Sequence, residues 1–571
     1  MNEPDTADQR PAAVVLGRSE TGSWVLVRCD ADGIELGRET CPPDALPEAV
    51  ARAERATPLW VVRTLRESYP PLLAAGIRLR RAHDLLLCHA ILRDTASLAQ
   101  PVPASARWIR TEVAEPRPQA LFEVDVAAEP DDQIEELLAE WGRQRAALRR
   151  APDARLDLLC RAESTGALVA EEMTAAGLPW DVAVHERLLE EALGPRPLTG
   201  ARPAKMAQLA VEVAEQLGER EVPIDSPPRL LRSLHRAGIL VESTSRWELA
   251  EQDHPAVVPL LAYKKLARLH TANGWSWLRE WVRDGRFRPI YLTGGVITGR
   301  WASSGGGALQ IPRSLRPAVR ADAGWRLVLA DVAQLEPRVL AAMSQDAAMA
   351  AAARGADLYE GVVRSGAVAS RTEAKYAVLG AMYGATTGES GRLVPRLRKV
   401  FPKAMALVDR AARTGEEGGV VSTLLGRSSP PPDSAWRDAQ SRASDPTAGG
   451  AEERRARSRA RDRGRFTRNF VVQGTAAEWS LLWLAEIRHR LSALPAAQTP
   501  APPSGPVFQV SAHLAFFLHD EVIVHCPAEQ ADAAADIVRA AADAATARLF
   551  PGFDIEIPLD LRIADDAGKD A

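Results

Sequence analysis

The constraint that most narrows the fold of this chain is a pair of apolar runs that both break on acids. In Leu514-Ala-Phe-Phe-Leu-His519-Asp520-Glu521-Val-Ile-Val-His525, two apolar strands flank a polar triplet, which predicts a tight hairpin with its acids at the tip. In Trp325-Arg-Leu-Val-Leu-Ala-Asp331-Val-Ala-Gln334-Leu-Glu336-Pro337-Arg338, a run of strand type ends at Asp331 and turns helical. Pro337 suits a first helical turn, where no backbone donor is lost. Polar hairpin tips are common, so neither segment alone implies chemistry. Together, Asp331 and Asp520 stand 189 positions apart on strand ends that, if adjacent, offer hard oxygen donors to a pair of magnesium ions. A two-ion site polarises an attacking hydroxyl and stabilises the oxygen that leaves, as phosphoryl and nucleotidyl transfer require.

A third segment, Arg371-Thr-Glu-Ala-Lys375-Tyr-Ala-Val-Leu379-Gly380-Ala-Met-Tyr383-Gly384, reads as a helix. Four residues turn an α-helix by about 400° and advance it ~6 Å, so Arg371, Lys375, Leu379 and Tyr383 form one nearly straight row. Two cations one turn apart match the length of a triphosphate tail. Lysine is scarce, seven of the 71 basic residues, so a lysine at the centre of this row is not compositional noise. A surface helix with a solvated basic edge also fits the row.

At 571 residues the chain is long enough for three or four packed units. Its net charge of −4 means that any nucleic-acid affinity comes from local basic patches. It has no run of ~18 apolar residues, and its first residues lack the basic-then-apolar order of a signal peptide, so the expectation is a cytoplasmic protein without a membrane span. Cys29, Cys41, Cys88, Cys160 and Cys526 are odd in number and widely spaced, which predicts neither a disulfide framework nor a zinc site. Strand-like Trp24-Val-Leu-Val-Arg and Leu59-Trp-Val-Val-Arg, set among helical stretches, make residues 1–165 an α/β unit. Residues 166–275 read as an elongated helical subdomain. The stretch 428–468, proline-rich at its start and arginine-rich at its end, reads as a flexible loop able to touch phosphates, with a solvated insertion as the alternative.

These segments resemble the family A (Pol I type) DNA polymerases. Asp331-Val-Ala-Gln-Leu-Glu336-Pro-Arg is similar to that family's motif A, residues 371–384 to its motif B, and His519-Asp520-Glu521 to its motif C. Thr298-Gly299-Arg300, Thr423-Leu-Leu-Gly426-Arg427 and Val472-Gln473-Gly474-Thr475-Ala-Ala-Glu478 agree in order, over roughly residues 166–571. The resemblance implies an α/β multidomain chain with a right-hand polymerase fold. Its palm, with an antiparallel sheet, would be 276–335 and 505–571, its helical thumb 166–275, and its fingers 336–504 with the arginine-rich insertion at 428–467. Residues 1–165 would be a degenerate 3′-to-5′ exonuclease-like domain of RNase H-like type. The implied activity is template-directed addition of dNTPs to a primer 3′-hydroxyl, in DNA repair or replication, by a nucleoid-associated monomer. Two Mg2+ ions would serve, with Mn2+ able to substitute. Asp331 and Asp520 would bind the metals, with Glu521 beside them. Arg371 and Lys375 would hold the triphosphate, and Leu379, Tyr383, Gln334 and Tyr359 would line the nucleotide site. Glu336 would reject a ribose 2′-hydroxyl. Arg300, Gln473, His519 and Arg427 would touch the primer-template near its terminus, where donors can probe minor-groove acceptors without reading sequence.

Several positions depart from the family's pattern. Leu379 stands where Phe or Tyr is usual, Val332 and Ala333 replace Tyr-Ser, the segment 305–310 lacks the expected asparagines, and Tyr359 takes the place of a phosphate-contacting histidine. All are peripheral to the two aspartates, so activity with altered efficiency or fidelity is expected. The N-terminal unit lacks the four acids of an exonuclease. Asp84, in Arg81-Ala-His83-Asp84-Leu-Leu-Leu-Cys88-His89, is the one remnant candidate and is expected to be a solvated or capping residue, so proofreading is expected to be lost. No 5′-nuclease domain is expected. Two alternatives stand beside this reading: a single-subunit RNA polymerase, against which Glu336, Gly380 and Glu521 argue, and a catalytically impaired protein that binds primer-template.

Overall fold

The computed structural model describes residues 10–109, 132–198, 200–304, 306–307, 311–355, 357–384 and 388–568. The first residues of the chain, Lys569, and the segment 305–310 apart from Gly306 and Gly307 lie outside the described residues. The chain divides into two compact units, one of residues 1–177, 290–304 and 323–564 and the other of residues 178–289, 305–322 and 565–571.

The first unit opens with a five-stranded sheet. Ala13–Arg18 (β1), Trp24–Cys29 (β2) and Glu35–Cys41 (β3) run antiparallel, while β1 pairs in parallel with Leu59–Val62 (β4) and β4 with Arg81–Asp84 (β5). The order is β3-β2-β1-β4-β5. The β1 run is apolar throughout because both of its faces are covered: Val14 and Leu16 pack with Trp60 and Leu72, and Ala13 and Val15 with Val61 and Trp141. Asp84 caps the helix Leu85–Asp94 (α1), its carboxylate accepting from Leu87 N at 3.0 Å and from Leu65 N at 2.8 Å. It is therefore a capping residue, buried and not solvated, and burial pushes its carboxyl up to about 6.

Two helices follow, Ile134–Arg149 (α2) and Arg155–Ala176 (α3). Here the structure corrects the expected boundary at 165/166: α3 crosses it unbroken and stops at Gly177, whose φ of 69° lies in the left-handed region that favours glycine. The second unit is mainly helical, with a small three-stranded sheet and a core of Leu189, Val213, Leu230, Leu234 and Leu260. Asp181 caps the helix Val182–Leu193 by accepting from Val184 N at 3.0 Å. Trp180, His185, Trp277 and Phe287 form an aromatic cluster beside it, where burial holds His185 down at about 4.

The rest of the first unit is built on Trp325–Val332 (β6). The helices Leu335–Ser344 (α4), Leu358–Arg364 (α5), Arg371–Tyr383 (α6), Pro402–Glu416 (α7), Ser434–Ala443 (α8) and Gly450–Leu491 (α9) follow it. The hairpin His513–Leu518 (β7) and Glu521–Pro527 (β8), the helix Ala531–Leu549 (α10) and Leu559–Ala564 (β9) complete it. The sheet is antiparallel in the order β7-β8-β6-β9, so β6 is central and its Leu327-Val-Leu-Ala run is buried.

The expected flexible loop at 428–467 is corrected by this architecture. Residues 434–443 are α8, and the arginine-rich run is the first part of the 42-residue α9. Arginine, alanine and glutamate are strong helix formers, and the run has no proline or β-branched residue between 450 and 466, so helix propensity outweighs its charge.

Buried ion pairs hold α9 to the N-terminal sheet. Arg488, on α9, donates to both carboxylate oxygens of Glu172 on α3 and to the carbonyls of Leu79 and Arg80, while Arg78 and Tyr69 bond the same carboxylate. Burial by itself would raise the Glu172 carboxyl, but Arg488 and Arg78 hold it down at about 2. Replacing Arg488 with Met strands a buried carboxylate. Arg488→Met is expected to lower unfolding stability by about 3–5 kcal/mol in urea titrations at pH 7, and Arg488→Met/Glu172→Leu is expected to recover much of that loss.

Candidate active site

The register of β6 against β8 assembles the acids. Asp331 is the cross-strand partner of Glu521, and the Val332 amide donates to the Asp520 carbonyl at 2.9 Å. Leu518 pairs with Glu521, so His519 and Asp520 are the two-residue tip of the β7–β8 hairpin. His519 sits there at φ 56°, and Gln334, three residues after Asp331, at φ 48°. Left-handed backbone at non-glycine residues carries strain, and both instances flank the acids. Burial first, and then the neighbouring Asp331 charge, push the Asp520 carboxyl up to about 6. Glu521 is buried at 7% exposure, whereas Asp331 and Asp520 are partly open.

The residues of motif A do different work. The Gln334 carboxamide accepts from Leu358 N at 3.1 Å and faces the Arg338 guanidinium at 3.4 Å, so it braces the start of α5. Arg338 is fully buried and donates to the carbonyls of Ala333, Ala353, Gly355 and Glu556, and burial pushes it down to about 10. Glu336 is 9% exposed and held on both sides: Arg300 pairs with one carboxylate oxygen and the Tyr383 hydroxyl donates to the other at 2.6 Å. Burial, with Arg300 close by, holds the His519 imidazole below its ordinary value.

The row on α6 is a single helix, capped by Ser370 accepting from Glu373 N. Arg371 bonds Asp357 at 2.6 Å and lies 5.7 Å from the ring centre of Tyr359, a buried residue. Lys375 is exposed and, among the described residues, has neither an ion pair nor a hydrogen bond, so it is a free cation one turn along. Leu379 is half-buried, and Tyr383 at the end of the row turns to Glu336.

Three further motifs interlock. Gly299 lies under the Arg427 guanidinium, where an added Cβ would stand 2.6 Å from its Nε, and Gly474 lies against Thr298 O and Thr423 in the same way. Glu478, buried and pushed up to about 7 by burial, accepts from Thr423 Oγ1 and from Leu425 N at 3.0 Å, while Thr475 Oγ1 accepts from Leu424 N. Arg427 pairs with Glu163 of α3 and is 14% exposed. The guanidinium expected to touch DNA is thus paired with Glu163 inside the protein. This knot leaves Arg300 facing Glu336 and leaves Gln473 half-buried, with no hydrogen-bond partner among the described residues.

The sequence reading missed Asp357, Glu163 and Glu478 as the groups that position Arg371, Arg427 and the 423–427 turn. Asp357 carried a signal, since an Asp before a helical run is a cap; it accepts from Tyr359 N at 2.9 Å. The partnership of Glu163 with Arg427, 264 positions away, carried none.

Among the described residues, no three His, Cys, Asp or Glu side chains cluster tightly enough to cage a metal by themselves. Asp331 and Asp520 fit an ion that keeps waters and takes substrate phosphate oxygens, as magnesium does. The raised Asp520 carboxyl yields a testable consequence for the metal-free protein. A carboxyl raised to about 6 contributes stability below its unfolded value near 4 that is lost as pH rises through 6. In EDTA, Asp520→Asn is therefore expected to melt above wild type at pH 8, by an amount worth roughly 1–3 kcal/mol, with the difference closing by pH 4. Equal melting at both pH values would contradict the raised Asp520 carboxyl.

The family model for DNA polymerase family A matches residues 201–568. The chain is 26% identical over 414 residues to "DNA polymerase I, thermostable" of Thermus aquaticus, covering 63% of this chain and 46% of that protein. It is 28% identical over 382 residues to DNA polymerase I of Chloroflexus aurantiacus, covering 62% and 36%. The chain thus spans less than half the length of these relatives. Its fold is similar to the solved POL domain of Pol1 from M. smegmatis, in complex with DNA primer-template and dNTP, with a TM-score of 0.67 at 18% identity, covering 97% of this chain and 95% of that one. The chain belongs to the family A DNA polymerases.

Proposed function

We propose that the chain is a template-directed DNA polymerase that adds dNTPs to a primer 3′-hydroxyl. The observation that carries this is the β6–β8 register, which sets Asp331 beside the Asp520-Glu521 tip, together with Lys375 unpaired on α6. Asp331 and Asp520 would hold two divalent ions, Mg2+ with Mn2+ as substitute. Bound there, the ions supply polarisation of the primer hydroxyl and neutralisation of the leaving pyrophosphate. Glu521 lies beside these aspartates, across from Asp331. Lys375 and the remaining N–H groups of Arg371 receive the triphosphate, and Asp357 fixes where Arg371 can reach. Glu336, clamped by Arg300 and Tyr383, is a rigid polar wall against a 2′-hydroxyl, so dNTPs are favoured over NTPs. Leu379 offers no ring to stack on the incoming base. Tyr359 stays packed beneath Arg371 and does not reach for phosphate. Arg300, Gln473 and His519 border the primer terminus.

The reading excludes proofreading by the N-terminal sheet. β1 carries no acid, and the Asp84 carboxylate is consumed by two backbone amides. The alternative reading is a catalytically impaired protein that binds primer-template.

One assay separates these readings. With Mg2+ and dNTPs, wild type is expected to extend a labelled primer while Asp331→Ala and Asp520→Ala lose about 10³-fold or more in rate; NTPs in place of dNTPs are expected to give little extension. Tight binding without extension would replace the polymerase by the impaired binder, and efficient use of NTPs would replace it by an RNA polymerase. A labelled single strand incubated with wild type and Mg2+ or Mn2+ is expected to keep its length; shortening that Asp84→Asn abolishes would restore the exonuclease.

A further inference from the structure

The N-terminal sheet carries a cleft that the proposed reaction does not use. Because β1, β4 and β5 run parallel, their first residues lie together at one end of the sheet, away from the end where Asp84 closes β5. There Ala13, Leu59 and Ala82 line a cleft of about 750 Å3. Trp141, Arg145 and Arg149, one turn apart along α2, line it from one helix, and Asp157, Arg161 and Thr165, at the same spacing on α3, line it from another. Arg80 and Arg81, beside the start of β5, complete it. A volume of this order takes a small organic ligand.

Three of these arginines are positioned without being neutralised. The Arg145 guanidinium donates to the Ala31 carbonyl at 2.8 Å and lies 4.8 Å from the Trp141 ring centre. Gly33 makes room for it, since an added Cβ there would overlap Arg145 Nη1. Arg81 donates to the Thr57 carbonyl at 2.8 Å. The Arg80 backbone is held on both sides, its amide donating to Glu54 at 3.0 Å and its carbonyl accepting from Arg488 at 3.0 Å, so its exposed side chain projects from a fixed point. Among the described residues none of the three guanidiniums has an ion pair. A carbonyl orients a guanidinium and leaves its charge in place. The acids of the cleft already serve local partners: Asp30 accepts from the amides of Asp32 and Ile34, Asp153 pairs with Arg155, and Asp157 with Arg161. Arg149 has an exposed pair with Asp32 at 3.1 Å. Burial first, and then Arg149, hold the Arg145 guanidinium below its ordinary value, against the pull of Asp32 and Asp30. The cations are crowded, and an anion among them would relieve that.

We propose that this cleft binds the oligophosphate chain of a small molecule. Guanidiniums oriented by carbonyls present their remaining N–H groups in the planar forks that phosphate oxygens accept. The chain lies across Arg80, Arg81 and Arg145, and Arg149 and Arg161, whose exposed pairs are weak, can turn to it. A nucleotide and a bare inorganic chain offer the same phosphates, and the alanine and leucine side chains of the cleft give a nucleoside an apolar surface to rest on. The site is independent of the polymerase reading, since none of its residues belongs to the strands or helices that carry Asp331, Asp520 or Lys375.

Isothermal titration calorimetry in EDTA and without DNA tests this, because no metal then holds a nucleotide at Asp331 and Asp520. ATP, inorganic tripolyphosphate and adenosine are titrated into wild type, Arg80→Ala/Arg81→Ala, Arg80→Lys/Arg81→Lys and Lys375→Ala. Wild type is expected to bind ATP, tripolyphosphate or both at one site per chain, and adenosine not measurably. The alanine variant is expected to bind about tenfold more weakly, through the loss of charge-assisted hydrogen bonds. The lysine variant is expected to retain most of the affinity, because a phosphate accepts either cation, and Lys375→Ala to match wild type. Arg80 and Arg81 are exposed, so the melting temperature of both arginine variants is expected to be unchanged. Tighter binding of ATP than of tripolyphosphate assigns the cleft to nucleotides, and binding of tripolyphosphate at least as tight as that of ATP assigns it to the bare chain. No binding of either phosphate, adenosine binding as well as ATP, unchanged affinity in the alanine variant, or an equal loss in Lys375→Ala would overturn the proposal.

Discussion

The antiparallel pairing of β6 with β8 is the constraint on which the rest of the molecule depends. Strand pairing has a side-chain period of two, so a slip of one residue would move Asp331 to the other face and bury it among the apolar side chains that now fill the core. The apolar content of Leu327–Ala330 and Val522–Val524, buried almost completely, holds the register that sets Asp331 across from Glu521. Burial on this sheet, and then the neighbouring Asp331 charge, raise the proton affinity of Asp520. A site that is electrostatically unfavourable when empty is one prepared to take up positive charge.

Around that sheet, the motifs do not each carry one role. Some residues face the cleft, and others hold the first group in place. Glu336 faces the site, but its position is set by Arg300 and Tyr383, from opposite ends of the sequence motifs. Arg300 in turn emerges from a knot in which Gly299 and Gly474 allow Arg427, Thr423 and Glu478 to close on one another. Side chains added at either glycine would push this knot open and displace Arg300. α9 reaches from the hairpin, where Ser480 Oγ bonds the His519 carbonyl, to Gly384 at the end of α6, against which Arg465 packs.

Much of this was legible in the sequence. The hairpin was written in two apolar runs around His519-Asp520-Glu521, the strand-to-helix change at Asp331 in its apolar run and Pro337, and the α6 row in its four-residue spacing. What escaped was whatever depends on partners distant in sequence. Arg427 looks like a free cation until Glu163 is placed against it, and Tyr359 looks available until it is seen under Arg371. The arginine-rich run escaped for a local reason: its charge suggested a loop, whereas its backbone preferences favour helix. The boundary after α3 was missed because helical periodicity continues through residue 165, and the stop is marked only by Gly177.

The claim that Asp331 and Asp520 act as one ion-binding pair can be examined most directly in crystals of the chain with primer-template, a non-hydrolysable dNTP and Mn2+. Anomalous diffraction is predicted to show two manganese peaks at the β6–β8 tip, with carboxylate oxygens of both aspartates within about 2.5 Å. Manganese bound elsewhere, or held by one aspartate with the other turned away, would contradict the account.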